Sequence, residues 1–121
     1  MNNFQSCSIL VVDDELAILK LLDHVLSRKG FQIDTVSCGE AGLEKIKSGQ
    51  YNLVITDIKM PGIGGEEFAR VVKDLKGECL PVIGMSGTPW LLDCNLFDAV
   101  LSKPFLKNDL YDAIAKVVPV F

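Results

Sequence analysis

The sequence predicts an α/β fold in which a five-stranded parallel sheet carries helices on both faces. Short apolar runs rich in β-branched residues alternate with amphipathic segments at helical spacing along the whole chain. Such runs are expected for parallel strands that are covered on both sides. At 121 residues, 49% of them hydrophobic, the chain is long enough for one domain with its own core. We therefore expect a single domain over residues 1–121.

The first strand and the first helix are predicted between Ser8 and Gly30. Residues 8–12 form an apolar run that ends abruptly at Asp13. Apolar residues then recur at helical spacing as far as Gly30, which fits a helix C-terminal stop. The residues predicted to face inward are Leu16, Ile18, Leu19, Leu22, Val25 and Leu26.

The second and third strands are predicted at residues 31–36 and 53–57. Residues 31–36 alternate like a strand with one more exposed face, and a helix follows over residues 41–47. The third strand is an apolar run that ends on the carboxylate of Asp57. Because fully burying an unpaired charge is costly, we expect Asp57 at the exposed tip of its strand, beside a cation.

The second half of the chain continues the alternation of helices and strands. A helix is predicted at 66–76, a fourth strand at 80–86, a short helix within 89–96 and a fifth strand at 99–102. The last helix opens at Lys107 or Asn108. The residues predicted to face inward are Phe68, Val71, Val72 and Leu75 in the third helix, and Leu110, Ile114 and Val117 or Val118 in the last.

Composition excludes several classes of function. Twelve basic and sixteen acidic residues give a net charge of −4, and the lack of a basic run argues against direct nucleic-acid binding. The four cysteines form no Cys-x-x-Cys pair, which favours reduced thiols in a cytosolic protein over disulfides or a metal framework. The sequence shows neither a signal peptide nor a membrane-spanning run. We therefore expect a cytoplasmic protein without a membrane segment.

Polar residues follow four of the five predicted strands. In open α/β sheets, ligands bind at the carboxyl ends of the strands where the strand order reverses, which in the flavodoxin-like order 2-1-3-4-5 lies between strands 1 and 3. These two strands end on Asp13-Asp14 and on Asp57, while strand 4 ends on Ser86 and strand 5 leads into Lys103. We therefore expect all five side chains to meet at one edge of the sheet.

Carboxylates that face one another repel unless a cation lies between them. Mg²⁺ is the simplest cation for such a site, because it prefers oxygen ligands and accepts phosphate oxygens in place of its waters. Lys103 adds a movable charge and Ser86 a hydroxyl, and both suit phosphate oxygens. The set predicts phosphoryl transfer with Asp57 as the nucleophile and an aspartyl phosphate as the product.

Four segments of this chain resemble the four signatures of the receiver domain of two-component response regulators. They are Val-Val-Asp-Asp-Glu at 11–15, Ile-Thr-Asp-Ile-Lys-Met-Pro-Gly at 55–62, Met-Ser-Gly at 85–87 and Ser-Lys-Pro-Phe at 102–105. They occur in the family's order, and the resemblance covers essentially the whole chain. It implies a flavodoxin-like fold and a phosphoacceptor signalling domain, rather than an enzyme, that assists its own phosphorylation and dephosphorylation.

The resemblance also implies partners and roles for individual residues. Asp57 would take the phosphoryl group from a phosphohistidine on a sensor histidine kinase or a histidine phosphotransfer protein, and the domain would then switch protein–protein interactions. Asp14 and Asp57 would bind Mg²⁺ directly. The implied roles of the other residues are a water-mediated magnesium contact for Asp13, a main-chain carbonyl ligand for Lys59, phosphoryl sensing for Ser86 and charge pairing for Lys103.

The chain departs from the family pattern at two places. Val100 stands where family members usually carry a Tyr or Phe whose rotation reports phosphorylation. The segment between Ser86 and Lys103 is also shorter than usual, so the fourth helix of the family must be shortened or irregular. We expect Trp90 to be partly packed there. Both departures lie on the surface that family members often use for dimerisation or output, and neither touches the transfer chemistry.

Two functions from other classes stay open. A phosphatase of the haloacid-dehalogenase kind also uses a nucleophilic aspartate, but it requires a second acid at the position of Lys59. A phosphorylation-independent interaction module is the other, and the complete polar set argues against it. Asp13 and Asp14 alone would also fit an acidic first helical turn.

Because the sequence ends soon after the last helix, it fits either a single-domain regulator or a fragment of a longer regulator or hybrid kinase.

Overall fold

The computed structural model describes residues 7–92 and 95–118. Within them, five parallel strands form one sheet: β1 Ser8–Val12, β2 Gln32–Val36, β3 Leu53–Asp57, β4 Val82–Ser86 and β5 Ala99–Ser102. The helices are α1 Leu16–Arg28, α2 Gly39–Ser48, α3 Gly65–Lys76 and α4 Lys107–Val117. Single 3₁₀ turns occupy Gly77–Cys79 and Pro89–Leu91.

The strand order is β2-β1-β3-β4-β5, which confirms the predicted flavodoxin-like sheet. Neighbouring strands pair in parallel, with Val11 opposite Ile55 and Ile55 opposite Ile83. The order reverses at β1, which lies between β2 and β3. A ligand site is therefore expected at the carboxyl ends of β1 and β3.

Helices cover both faces of the sheet, and each face has its own hydrophobic core. Side chains of α1 and α4 pack with Ile9, Val11 and Ile55 on one face. Side chains of α2 and α3 pack with Leu10 and Val54 on the other. Because successive strand residues point to opposite faces, one short strand supplies both cores. This explains why β1 and β3 are apolar nearly throughout.

Helical periodicity overestimated the inward faces of α1 and α3. Leu16 and Leu75 are exposed, and Ile18 and Val71 are only half-buried. Leu16 is the first residue of α1, and Leu75 lies in the last turn of α3, so both exposed leucines lie at helix ends. The apolar spacing there continues without burial.

The segment after β4 holds no α-helix over its described residues. Pro89–Leu91 forms a single 3₁₀ turn, which confirms the shortened fourth helix of the family, while positions 93 and 94 of the predicted segment lie outside the described residues. The Trp90 side chain is 75% exposed. The prediction that Trp90 is partly packed was therefore wrong, because one turn is too short to fold the indole back onto the sheet.

Three cysteines are free thiols: Cys7 is buried, Cys38 is half-buried and Cys79 is exposed. Cys94 lies outside the described residues. No helix in the described part of the chain combines the length and the apolar character needed to cross a bilayer.

Adjacent leucines of α1 provide a test of this packing. Leu22 is completely buried, whereas Leu21 is 48% exposed. We predict that Leu22→Ala lowers the free energy of unfolding by about 2–5 kcal/mol, because a buried leucine loses its contacts and leaves a cavity. Leu21→Ala should change it by less than about 1 kcal/mol. Urea denaturation measures both, and equal losses would contradict the assigned faces of α1.

Candidate functional site

The predicted side chains meet at the carboxyl edge of the sheet. Asp57, Ser86 and Lys103 line a cleft of about 390 Å³, and Asp14 lies on its rim. Each comes from the end of a different strand, or from the residues just after it. The further lining residues are Glu15, Ile58, Lys59, Met85, Gly87 and Thr88.

Three carboxylates form the acidic part of this site. Asp13, Asp14 and Asp57 each place an oxygen within 4.8 Å of the others. Asp13 is completely buried and Asp14 is exposed. Asp57 is only 7% exposed, so the expectation of an exposed strand tip was wrong. The buried charge is tolerated because a cation lies beside it, as the sequence did predict.

That cation is Lys103, which pairs with several acids at once. Its Nζ lies 3.0 Å from Oδ1 of Asp57, 3.2 Å from Oδ2 of Asp13 and 3.5 Å from Oε1 of Glu15. Burial alone would lower the pKa of Lys103, but the hydrogen bond and charge of Asp57, with those of Asp13, raise it above its usual value. Lys103 therefore stays charged at neutral pH. The contact with Glu15 was missed from the sequence, although Glu15 closes the acidic run that begins at Asp13.

Both carboxylate oxygens of Asp13 already have partners. Oδ1 accepts a hydrogen bond of 2.9 Å from the backbone N–H of Glu15, and Oδ2 accepts one of 3.2 Å from Lys103. Burial raises the pKa of Asp13, the charge of Asp57 raises it further, and the Glu15 N–H and Lys103 partly oppose this. Asp14, exposed at the rim, is more open to an incoming ligand.

Ser86 is connected to Lys103 through the backbone. The Lys103 N–H donates to the Ser86 carbonyl at 2.8 Å, which extends the β4–β5 ladder. The Ser86 hydroxyl oxygen accepts a bond of 2.9 Å from the Thr88 N–H and lies 3.4 Å from the Thr88 hydroxyl. Ser86, the last residue of β4, and Lys103, just after β5, are thus held in a fixed relation at the mouth of the cleft.

The loop between β3 and α3, residues 58–64, forms another wall of the cleft and carries Lys59. It closes tightly, because the Gly65 N–H donates to the Ile58 carbonyl at 2.8 Å. A Cβ at position 65 would collide with the carbonyl oxygen of Asp57, so only glycine lets α3 begin so close to the strand. The Met60 side chain is buried in the core.

The donor set fits a hard divalent cation. Clustered carboxylates are oxygen ligands of the kind that Mg²⁺ uses, and such sites leave positions for phosphate oxygens. A carboxylate beside an ammonium group and a hydroxyl is also suited to nucleophilic attack on a phosphoryl group. The fold and the cleft thus define a flavodoxin-like α/β protein with a site for a divalent cation and phosphate oxygens.

The chain belongs to the response regulator receiver domain family, whose model matches residues 9–115. It is 30% identical to the uncharacterized transcriptional regulatory protein YcbL of Bacillus subtilis, over 84% of this chain and 46% of that protein. It is also 30% identical to the response regulator ArlR of Staphylococcus haemolyticus, over 92% of this chain and 52% of that protein. The chain thus spans about half the length of these relatives.

Solved structures agree with this assignment. The response regulator TrrA of Thermotoga maritima, in complex with Mg²⁺ and BeF, superimposes with a TM-score of 0.84 and 37% identity, covering 92% of this chain and 98% of that one. TrrA in complex with the histidine kinase ThkA gives a TM-score of 0.83 and 36% identity, covering 93% and 98%.

The charge balance of the site makes a prediction for metal-free protein. Lys103→Met leaves Asp13 buried beside Asp57 without a counter-charge, so the pKa of Asp13 rises further. Because an acid whose folded-state pKa is raised destabilises the fold once it ionises, the variant should lose about 2 kcal/mol near neutral pH. The loss should shrink as acid protonates Asp13.

Urea denaturation in the presence of a chelator, repeated from acid to neutral pH, measures this loss. Lys20→Met is the matched control, because Lys20 is an exposed lysine of α1. A Lys103→Met protein as stable as the parent near neutral pH would contradict the balance described for the cluster.

Proposed function

We propose that this chain is a phosphoacceptor domain of two-component signalling, in which Asp57 takes a phosphoryl group from a phosphohistidine in a Mg²⁺-dependent reaction. The supporting observation is the cluster itself: three carboxylates within 4.8 Å and a lysine 3.0 Å from Asp57. Bound Mg²⁺ would supply charge neutralisation for the transferring group and for the carboxylates. We assign this role to the whole of residues 1–121 as one domain.

The residues around the metal would have different tasks. Asp14 and Asp57 would bind Mg²⁺ directly, and the carbonyl of Lys59 would be a further ligand. Asp13 would act through a water, which agrees with the partners that both its oxygens already have, Glu15 N–H and Lys103. Asp13 then sets the charge of the site without occupying a coordination position.

In the transfer step, a carboxylate oxygen of Asp57 forms the new bond to phosphorus. The bond from phosphorus to the histidine nitrogen breaks, and its electron pair stays on the imidazole. Lys103, already 3.0 Å from Asp57, would shift to a phosphoryl oxygen and neutralise its charge. The Ser86 hydroxyl would turn from Thr88 to donate to another phosphoryl oxygen, coupling the modification to the loop after β4.

We propose a signalling domain that assists its own phosphorylation and dephosphorylation, and not an enzyme that turns over a separate substrate. Lys59 occupies the position where a haloacid-dehalogenase phosphatase would need its second acid. The donor would be a sensor histidine kinase or a histidine phosphotransfer protein in the cytoplasm, by analogy with the complex of TrrA and ThkA. The signal would pass to a downstream protein target or to an output domain outside this chain, without direct nucleic-acid binding by residues 1–121.

Intact mass spectrometry tests the proposal after incubation with Mg²⁺ and acetyl phosphate. We predict that the parent protein gains one phosphoryl group, that a chelator prevents the gain, and that Asp57→Asn abolishes it because the nucleophile is lost. Asp74→Asn, an exposed aspartate of α3 outside the cleft, should behave like the parent. An unmodified parent protein, or an Asp57→Asn protein that is still modified, would contradict the proposal.

A further inference from the structure

The β3–α3 loop, residues 58–64, lies directly on the first turn of α2. A Cβ on Gly39, the first residue of α2, would stand 3.0 Å from the Ile63 carbonyl oxygen and 3.1 Å from the Ile63 Cβ. These distances are shorter than ordinary van der Waals contact. The absence of a side chain at position 39 therefore lets the loop approach the helix.

Glu40, the next residue of α2, binds this loop through its carboxylate. Its Oε2 accepts a hydrogen bond of 3.3 Å from the backbone N–H of Ile63. A Cβ on Gly62 would stand 2.6 Å from the same oxygen, and Gly62 has a φ of 76°. Gly62 is thus favoured both by its left-handed backbone and by the space that the Glu40 carboxylate fills.

The contact with Glu40 completes the anchoring of the loop. The bond from Gly65 N–H to the Ile58 carbonyl joins the two ends of the loop, and the buried Met60 side chain holds the middle. Glu40 holds the far side, at residues 62 and 63. Lys59, in the wall of the cleft, lies within the stretch that these three anchors restrain.

We propose that Glu40 is a positioning residue for the Asp57 site: it fixes the β3–α3 loop so that the backbone at Lys59 is preorganised for the metal. The inference rests on the proposed function, since it assigns a purpose to the Lys59 carbonyl in that site. An ionised acceptor forms a stronger hydrogen bond with an N–H than a neutral one does. Groups that orient the ligands of a metal influence its affinity without touching it.

Isothermal titration of Mg²⁺ into the parent protein, Glu40→Gln and Glu40→Ala tests the inference. Glu40→Ala should weaken Mg²⁺ binding by about tenfold, the lower end of the effects seen for residues that support metal ligands. Glu40→Gln, which keeps an acceptor but loses the charge, should fall between it and the parent. Hydrogen exchange at the Ile63 amide should become faster in the same order.

Glu44→Ala is the matched control, because Glu44 is an exposed glutamate one turn further along α2. It should leave both Mg²⁺ binding and Ile63 exchange unchanged. Urea denaturation of each variant reports any general loss of stability at the helix N-terminus.

Three outcomes would overturn the inference. A Glu40→Ala protein that is folded and binds Mg²⁺ as the parent does would exclude Glu40 from positioning, whatever the exchange at Ile63. Equal weakening by Glu44→Ala would show a general charge effect. A parent protein that fails to bind Mg²⁺ would overturn the proposed function together with this inference. Normal Mg²⁺ binding by Glu40→Ala would overturn this inference alone.

Discussion

Electrostatic repulsion between carboxylates is the constraint on which this site depends. Asp13 and Asp57 are buried at neighbouring strand ends, where the lower dielectric strengthens their repulsion and water screens it less than in solution. Lys103 opposes that repulsion by contacting both acids. The pair of acids and the lysine are far apart in sequence, so their balance exists only in the folded sheet.

The sheet order supplies the geometry for this balance. β1 lies beside β3, which places Asp13 next to Asp57. β4 and then β5 follow on the other side of β3. The bond from Lys103 N–H to the Ser86 carbonyl fixes where the lysine leaves the sheet. In our proposal, Lys103 exchanges part of its contact with the two carboxylates for a contact with a phosphoryl oxygen. The ion pairs that stabilise the unmodified site therefore also place Lys103 where phosphoryl transfer needs a positive charge.

The strand ends were predictable because they depend on the local sequence. Apolar runs that stop on Asp13, Asp57 and Ser86 mark one edge of a parallel sheet, and local sequence is enough to find them. Burial and long-range contacts were not predictable in this way. The near-complete burial of Asp57 depends on Lys103. The hydrogen bond between Glu40 and the Ile63 N–H joins residues 23 positions apart and depends on how α2 packs against the β3–α3 loop. The role given to Lys59 came from the family resemblance, whereas the hydroxyl of Ser86 at a strand end already indicated a phosphate contact, and both roles stay predictions.

The proposed site is tested most directly by a Mg²⁺ titration of the metal-free protein, followed through amide chemical shifts in ¹⁵N-labelled protein. We predict saturable changes concentrated at residues 13–15, at 57–59 and around Lys103, and their loss in Asp14→Asn, whose backbone fold should be intact. Changes scattered over the surface, or changes that persist in Asp14→Asn, would contradict the claim that these strand ends form one cation-dependent phosphoacceptor site.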